Sequence, residues 1–310
     1  MTPVAKSVSE RLDPALRHLA GMRVDLSAEV LPVFRDSLNR RRRDEMRTID
    51  VTDVGIEEMR AGCVPVRIYR GGPSPAPVVI YCHSGGFVVG NLDIDHRQCV
   101  ELARRGRCTV ISIDYRLAPE HPFPAAIDDA TSVLDWSVDN ASRLQIDTDR
   151  LAVAGNSAGG ALAACLAQRH ASRIQFQLLH QPVLDDRPTP SAEEFDSTPG
   201  FDGPAVASMW RLYLSGAEGS AGAAAGRREE LAGLPSALIT CSELDPLRDE
   251  AIDYAKRLLQ AGVATEMHVY ARTCHGFDSF LPEWETSRQL YTLQGTALAQ
   301  AFGQMVDHAR

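Results

Sequence analysis

The chain has 310 residues, 44% of them hydrophobic, and 41 acidic against 32 basic side chains leave a formal net charge of −9 at pH 7. That length and apolar content suffice for a sizeable core, divided into two domains or held in one large α/β unit. The charge argues against nucleic-acid partners and anionic membrane surfaces, and no run approaches the ~18 apolar residues of a stable membrane insertion.

Residues 1–45 read as helical, with Lys6, Glu10, Arg11, Asp13 and Arg17 interrupting any apolar signal core. Asp13-Pro14 offers an N-cap and first turn, and a second helix runs from about Ser27 into Arg40-Arg41-Arg42-Arg43. Asp44 and Glu45 follow directly, which favours a solvated helix face over an anion-docking site. Strands are expected near 49–55, 64–70, 76–82, 108–113, 150–155, 174–180, 236–242 and 264–270. Helices fall near 93–106, 124–139, 158–171, 247–261 and 283–307. This alternation predicts an α/β fold with a mostly parallel central sheet, helices on both faces and an antiparallel edge from the early strands. Almost no connector joins helix 158–171 to strand 174–180, so either the turn is tight or a flexible loop is missing from this chain. Between Asp185 and Glu230, prolines and an Ala/Gly-rich stretch surround a helix of about 203–215, capped by Asp202 and closed by Gly216. The expected division is N-terminal cap helices over 1–45, a core of 46–184 and 231–310, and a cap insertion over 185–230. Phe201, Met209, Trp210 and Tyr213 of that insertion either line a substrate pocket or pack the cap onto the core. Phe87 is a further substrate-binding candidate.

Gly155-Asn156-Ser157-Ala158-Gly159 carries the chemistry. The apolar Leu151–Ala154 precedes it and a small, apolar helix start follows, so Ser157 sits on a sharp strand-to-helix turn, the setting of a nucleophile elbow. A second motif, His83-Ser84-Gly85-Gly86-Phe87, ends the strand Val78–Tyr81. Acyl transfer needs backbone N–H groups aimed at a developing oxyanion. Gly85, Gly86 and Ala158 are the expected donors of that oxyanion hole.

These motifs, together with Asp114–Ala126, Asp245–Glu250 and His275-Gly276-Phe277, occur in the order found in bacterial hormone-sensitive-lipase-type esterases. The chain resembles that branch of the α/β-hydrolase superfamily over most of its length, which implies an α/β-hydrolase fold with a helical cap. Two departures stand out. Ser84 replaces the first glycine of the usual His-Gly-Gly-Gly, at a cost of order 1 kcal/mol if that position needs a positive φ. Asn156 stands where the branch commonly has Asp.

In this fold the partners follow the nucleophile as acid, then histidine. Asp245 comes just after the strand Ala237–Cys241, with Glu243, Asp249 and Glu250 as rivals. The last two fall in the first turn of the next helix, where acids favour the macrodipole. His275 follows the last strand, whereas His268 lies within it and His308 in the tail. The expected catalytic set is therefore Ser157, Asp245 and His275. No histidine pair has metal-ligand spacing with a nearby acid, so neither metal nor other cofactor is expected.

Seven scattered cysteines without a C-x-x-C pair suggest reduced thiols in a cytoplasmic protein, with Cys274 beside His275 as a reactive candidate. The expected function is hydrolysis of small-molecule esters with short to medium acyl chains, through an acyl-enzyme. An amidase or lactonase could use the same triad. Plant gibberellin receptors share the fold without the catalytic histidine, and His275 separates this chain from them. The resemblance also allows a homodimer through the last strand, which Met267 and Val269 permit.

Overall fold

The computed structural model describes residues 7–304; residues 1–6 and 305–310, His308 among them, lie outside the described residues. Eight strands form one sheet: β1 (Gly55–Ala61), β2 (Val64–Arg70), β3 (Ala76–Cys82), β4 (Thr109–Ile113), β5 (Ile146–Asn156), β6 (Phe176–His180), β7 (Ser236–Leu244) and β8 (Thr265–Cys274). Their spatial order is β1-β2-β4-β3-β5-β6-β7-β8. β2 pairs antiparallel with β1 and β4, and the remaining pairings are parallel. The larger helices among the described residues are α1 (Leu31–Met46), α2 (His96–Gly106), α3 (Ala125–Asp139), α4 (Ala158–Arg169), α5 (Gly203–Leu214), α6 (Arg248–Gln260) and α7 (Glu285–Ala301).

β3 shows why the sheet sits at the centre. All seven of its residues are buried, and successive side chains point to opposite faces. Val78, Ile80 and Cys82 join one core cluster, which includes residues of α3, α4 and α6. Val79 and Tyr81 join the other, against α2 and α7. Both faces are covered, as a parallel sheet requires.

The first strand was expected over 49–55, but β1 begins at Gly55. Ile49, Val51 and Val54 form a connector packed on the second core cluster. The edge strand itself reads Gly-Ile-Glu-Glu-Met-Arg-Ala and is mostly exposed. Its charges blunt a free edge and meet partners across the pair. Glu58 lies directly opposite Arg67 in register, and the two side chains are 2.6 Å apart.

Asp13-Pro14 does not open an α-helix. A one-turn helix, Val8–Arg11, forms ahead of it under a Ser7/Glu10 capping box. Asp13 N–H donates to the Arg272 carbonyl (2.9 Å), and Leu12 and Leu16 are buried beside Phe195 and Phe277. Docking of two leucines thus overrides the local helix signal. α1 likewise begins at Leu31, after a turn in which Val30 N–H bonds to the Ser27 carbonyl (3.1 Å).

The junction near 171–174 is a tight turn, with Arg173 N–H on the His170 carbonyl (2.9 Å) and Gln175 N–H on Leu151 (2.8 Å). Asp202 caps α5 by accepting from Ala205 N–H (3.0 Å). Ser215 and Gly216 end it, both with left-handed φ. α7 ends at Ala301, with Gly303 in the left-handed region, and the end expected near 307 lies outside the described residues.

Candidate active site

Three parallel strands of the sheet deliver three side chains at their C-terminal ends, where open α/β sheets place their ligands. Ser157 joins β5 to α4, Asp245 follows β7, and His275 follows β8. His275 Nε2 lies 3.0 Å from Ser157 Oγ, and its Nδ1 lies 2.8 Å from Asp245 Oδ2. Asp245 is fully buried. Its other oxygen accepts from Leu247 N–H (2.9 Å), which fixes the carboxylate plane.

Ser157 has φ 57° and ψ −117°, a strained conformation that costs of order 1–3 kcal/mol for a non-glycine residue. Three backbone bonds hold it there: Ser157 N–H donates to the His180 carbonyl (2.8 Å), and Val183 and Ala161 N–H donate to the Ser157 carbonyl (3.1 and 3.2 Å). The flanking glycines are steric requirements. A Cβ at Gly155 would stand 2.1 Å from the Gly159 carbonyl oxygen, and one at Gly159 would stand 1.9 Å from that of Cys82.

The second motif lies beside the serine. Gly85 (φ 122°) and Gly86 (φ 60°) take backbone conformations that suit glycine. Among the described residues, the N–H groups of Gly85, Gly86 and Ala158 have no protein acceptor. Ser84 is not among the positive-φ residues, so it carries no backbone strain. Its N–H and hydroxyl both donate to Asp95 (2.7 and 2.8 Å), which also accepts from Tyr81 hydroxyl (3.0 Å). Asp95 therefore anchors the glycine loop. Sequence reasoning missed it, although an acid eleven residues beyond Ser84 was a usable signal.

Gln181 was also missed. It is fully buried, and its side-chain carbonyl accepts from Gly276 N–H (2.8 Å) while its amide donates to Ser242 Oγ (2.7 Å). Gln181 thus ties the His275 loop to β7. An amide just past a buried strand was the available clue.

The cleft has a volume of about 200 Å³ and reaches Ser157, His275, Gly85 and Gly86. Its walls include Leu26, Phe34, Leu38, Phe201 and Phe280, so the N-terminal segment and Phe201 of the insertion flank it together. Phe201 also sits 5.0 Å from the His275 ring, centroid to centroid. The other aromatic candidates lie elsewhere. Phe87 stacks on Tyr213 at 3.8 Å and leans on Trp210 at 5.9 Å. Met209 backs onto Gly86 from behind. These four residues do not line the cleft; they pack α5 onto the glycine loop.

Cys274 is fully buried, and its thiol is pushed up to about 12 by burial and then by the Asp245 charge, so it stays protonated at neutral pH. Burial likewise holds the His83 ring below its ordinary value. That ring stacks on Tyr115 at 4.1 Å, which marks it as a loop anchor. Among the described residues, no group of three or more His, Cys, Asp or Glu is arranged to hold a metal ion.

Residues 79–279 match the family model described as alpha/beta hydrolase fold. Esterase LipI of Mycobacterium tuberculosis is 41% identical over 245 residues, covering 75% of this chain and 75% of that protein. The chain belongs to the hormone-sensitive-lipase-type branch of the α/β-hydrolase family. Ethyl acetate hydrolase of Pseudomonas putida is 36% identical, over 73% of this chain and 75% of its own length. The crystal structure of esterase LipW from Mycobacterium marinum superposes with a TM-score of 0.93 at 58% identity, covering 95% of this chain and 97% of that one. The α/β-hydrolase fold follows from both comparisons, and the chain is a carboxylesterase-type hydrolase. Among the described residues, no helix is long and apolar enough to cross a membrane.

Proposed function

We propose that this protein is a serine carboxylester hydrolase that cleaves short- to medium-chain acyl esters through a Ser157–His275–Asp245 triad. The observation that carries the reading is His275 bridging Ser157 Oγ (3.0 Å) and Asp245 Oδ2 (2.8 Å) through its two ring nitrogens. Ser157 Oγ attacks the ester carbonyl while His275 Nε2 takes its proton, and Asp245 holds the tautomer and stabilises the imidazolium. The oxyanion rests on the N–H groups of Gly85, Gly86 and Ala158, each contributing roughly 3–4 kcal/mol to the transition state. His275 then protonates the departing alcohol, and water activated by the same ring cleaves the acyl-enzyme.

The cleft supports small substrates. Its volume of about 200 Å³ falls below the roughly 300–1,000 Å³ of drug-sized ligand sites. The name of the Pseudomonas putida relative, ethyl acetate hydrolase, points the same way. Seven unpaired cysteines support a cytoplasmic setting. The position of β8 at the sheet edge, with Val269 40% exposed, supports a homodimer through that strand.

The test is hydrolysis of p-nitrophenyl butyrate by the wild type beside Ser157→Ala. The reading expects a measurable wild-type rate that the substitution abolishes. A rate equal in both proteins would overturn it.

A further inference from the structure

The arginine run Arg40–Arg43 reads, by sequence, as a solvated helix face. The helix divides it. Phe34, Leu38, Arg41 and Arg42 stand at i, i+4, i+7 and i+8 on one face of α1, and all four line the catalytic cleft. Arg40, outside the cleft lining, bonds back to the Asp36 carbonyl (3.4 Å).

Arg23 also lines the cleft, and among the described residues that do so no side chain is acidic. Among the described residues the counter-charges, Glu45 and Asp202, are fewer than the three guanidinium groups. Arg41 and Arg42 share the single carboxylate of Glu45, at 3.7 and 2.8 Å, and Arg23 lies 3.8 Å from Asp202. Arg42 also has a donor to spare: its Nε is shielded from solvent and has no hydrogen-bond partner among the described residues. Burial, and then the charge of Arg42, pulls the Arg41 guanidinium below its ordinary value, as expected where positive charge is in local excess. Arg42 also lines an adjoining cavity with Asp93, Asp95 and Asp278, acids that are engaged elsewhere. Asp93 pairs with Arg67 at 2.8 Å, Asp95 holds the glycine loop, and Asp278 faces His180 at 3.2 Å.

We infer that the cleft is built for esters that carry an anionic group, a carboxylate at the far end of a short apolar chain, with Arg41 and Arg42 as its receptors. The apolar wall from Leu38 to Phe280 would cover the chain, and the guanidinium pair would take the carboxylate with charge-assisted hydrogen bonds. This rests on the esterase reading and names its substrate class.

The experiment compares kcat/KM for monomethyl adipate with that for methyl hexanoate, following methanol release. 4-Acetoxybutyrate against butyl acetate is the second pair, so that an anion on the acyl side is told from one on the alcohol side. p-Nitrophenyl butyrate turnover is measured in the same preparations. The wild type should prefer the anion in at least one pair. Arg41→Gln and Arg42→Gln should each lower that preference roughly tenfold, whereas Arg40→Gln should keep it. The preference should also shrink between 50 and 500 mM NaCl, as screening requires. p-Nitrophenyl butyrate cleaved without any anionic preference, or a preference untouched by both cleft variants, would overturn the inference while leaving the esterase reading in place. No turnover of p-nitrophenyl butyrate would instead count against the esterase reading.

Discussion

Replacing Asp245 with Asn should cost about 10⁴-fold in kcat, and the structure gives the reason atom by atom. Asp245 Oδ1 accepts from Leu247 N–H (2.9 Å), and Oδ2 faces His275 Nδ1 (2.8 Å). Asparagine has the same shape but only one acceptor oxygen. That oxygen stays with Leu247, because turning the amide over would set an NH2 group against a backbone N–H in a fully buried site. The NH2 group then faces His275 Nδ1, which must present its lone pair and carry the proton on Nε2. A protonated Nε2, 3.0 Å from Ser157 Oγ, cannot take the serine proton. A wrong tautomer of this kind costs about 10⁴ in Ser-His-Asp enzymes, or roughly 5.5 kcal/mol of transition-state stabilisation. The assay is kcat with p-nitrophenyl butyrate, with the thermal midpoint as a check on folding. Glu243→Gln is the control. Glu243 accepts from Arg272 N–H (2.8 Å) and pairs with Arg11, away from His275, so kcat should stay within about twofold. Retention of more than a tenth of wild-type kcat by Asp245→Asn, or an equal loss in Glu243→Gln, would refute the assignment of the acid.

Three further outcomes follow from local geometry. Gly159→Ala puts a Cβ 1.9 Å from the Cys82 carbonyl oxygen and 2.5 Å from that of His83; backbone must move, so urea unfolding should show a loss of about 3 kcal/mol or more, and a stable variant would contradict the packing. Glu250 is buried, and desolvation raises its carboxyl well above the usual range. The folded state therefore binds the proton more tightly than the unfolded one, and stability from this group is full below the ordinary carboxylate value and lost as pH rises towards the folded one. Glu250→Gln should flatten that fall in thermal midpoint between pH 4.5 and 8 relative to wild type, and parallel curves would refute it. Ser84→Gly removes a hydroxyl bond to Asp95 (2.8 Å) and relieves no strain, so it should lower stability by about 1–2 kcal/mol; a gain in both stability and activity would show that the serine is a burden.

The candidate triad was legible because each member sits one residue beyond a strand. Leu151–Ala154, Ala237–Cys241 and Glu266–Tyr270 announce their strands by apolar runs or alternation, and the chemistry-bearing residue comes within a few positions of each run. β1 was not legible. As an exposed edge it carries Glu57, Glu58 and Arg60, while the apolar spacing just before it belongs to a packed connector. Asp13-Pro14 misled because its helix signal is local, and the burial of Leu12 and Leu16 against Phe195 and Phe277 is not. The cleft wall shows the same limit. Phe87 and Tyr213 looked like pocket residues but satisfy each other in a stack, and the wall comes instead from Leu26, Phe34 and Leu38, more than a hundred residues before the serine. Only the folded helix separates Arg41 and Arg42 from the rest of their run.

The central claim is that Ser157 is the nucleophile, and covalent trapping tests it most directly. The purified protein would be treated with a phosphonofluoridate ester, digested, and its peptides mapped by mass spectrometry. The account predicts one phosphonyl group per chain, on Ser157, appearing in step with the loss of p-nitrophenyl butyrate hydrolysis. Full inactivation with the adduct on another residue, or undiminished hydrolysis by a chain fully labelled at Ser157, would contradict it.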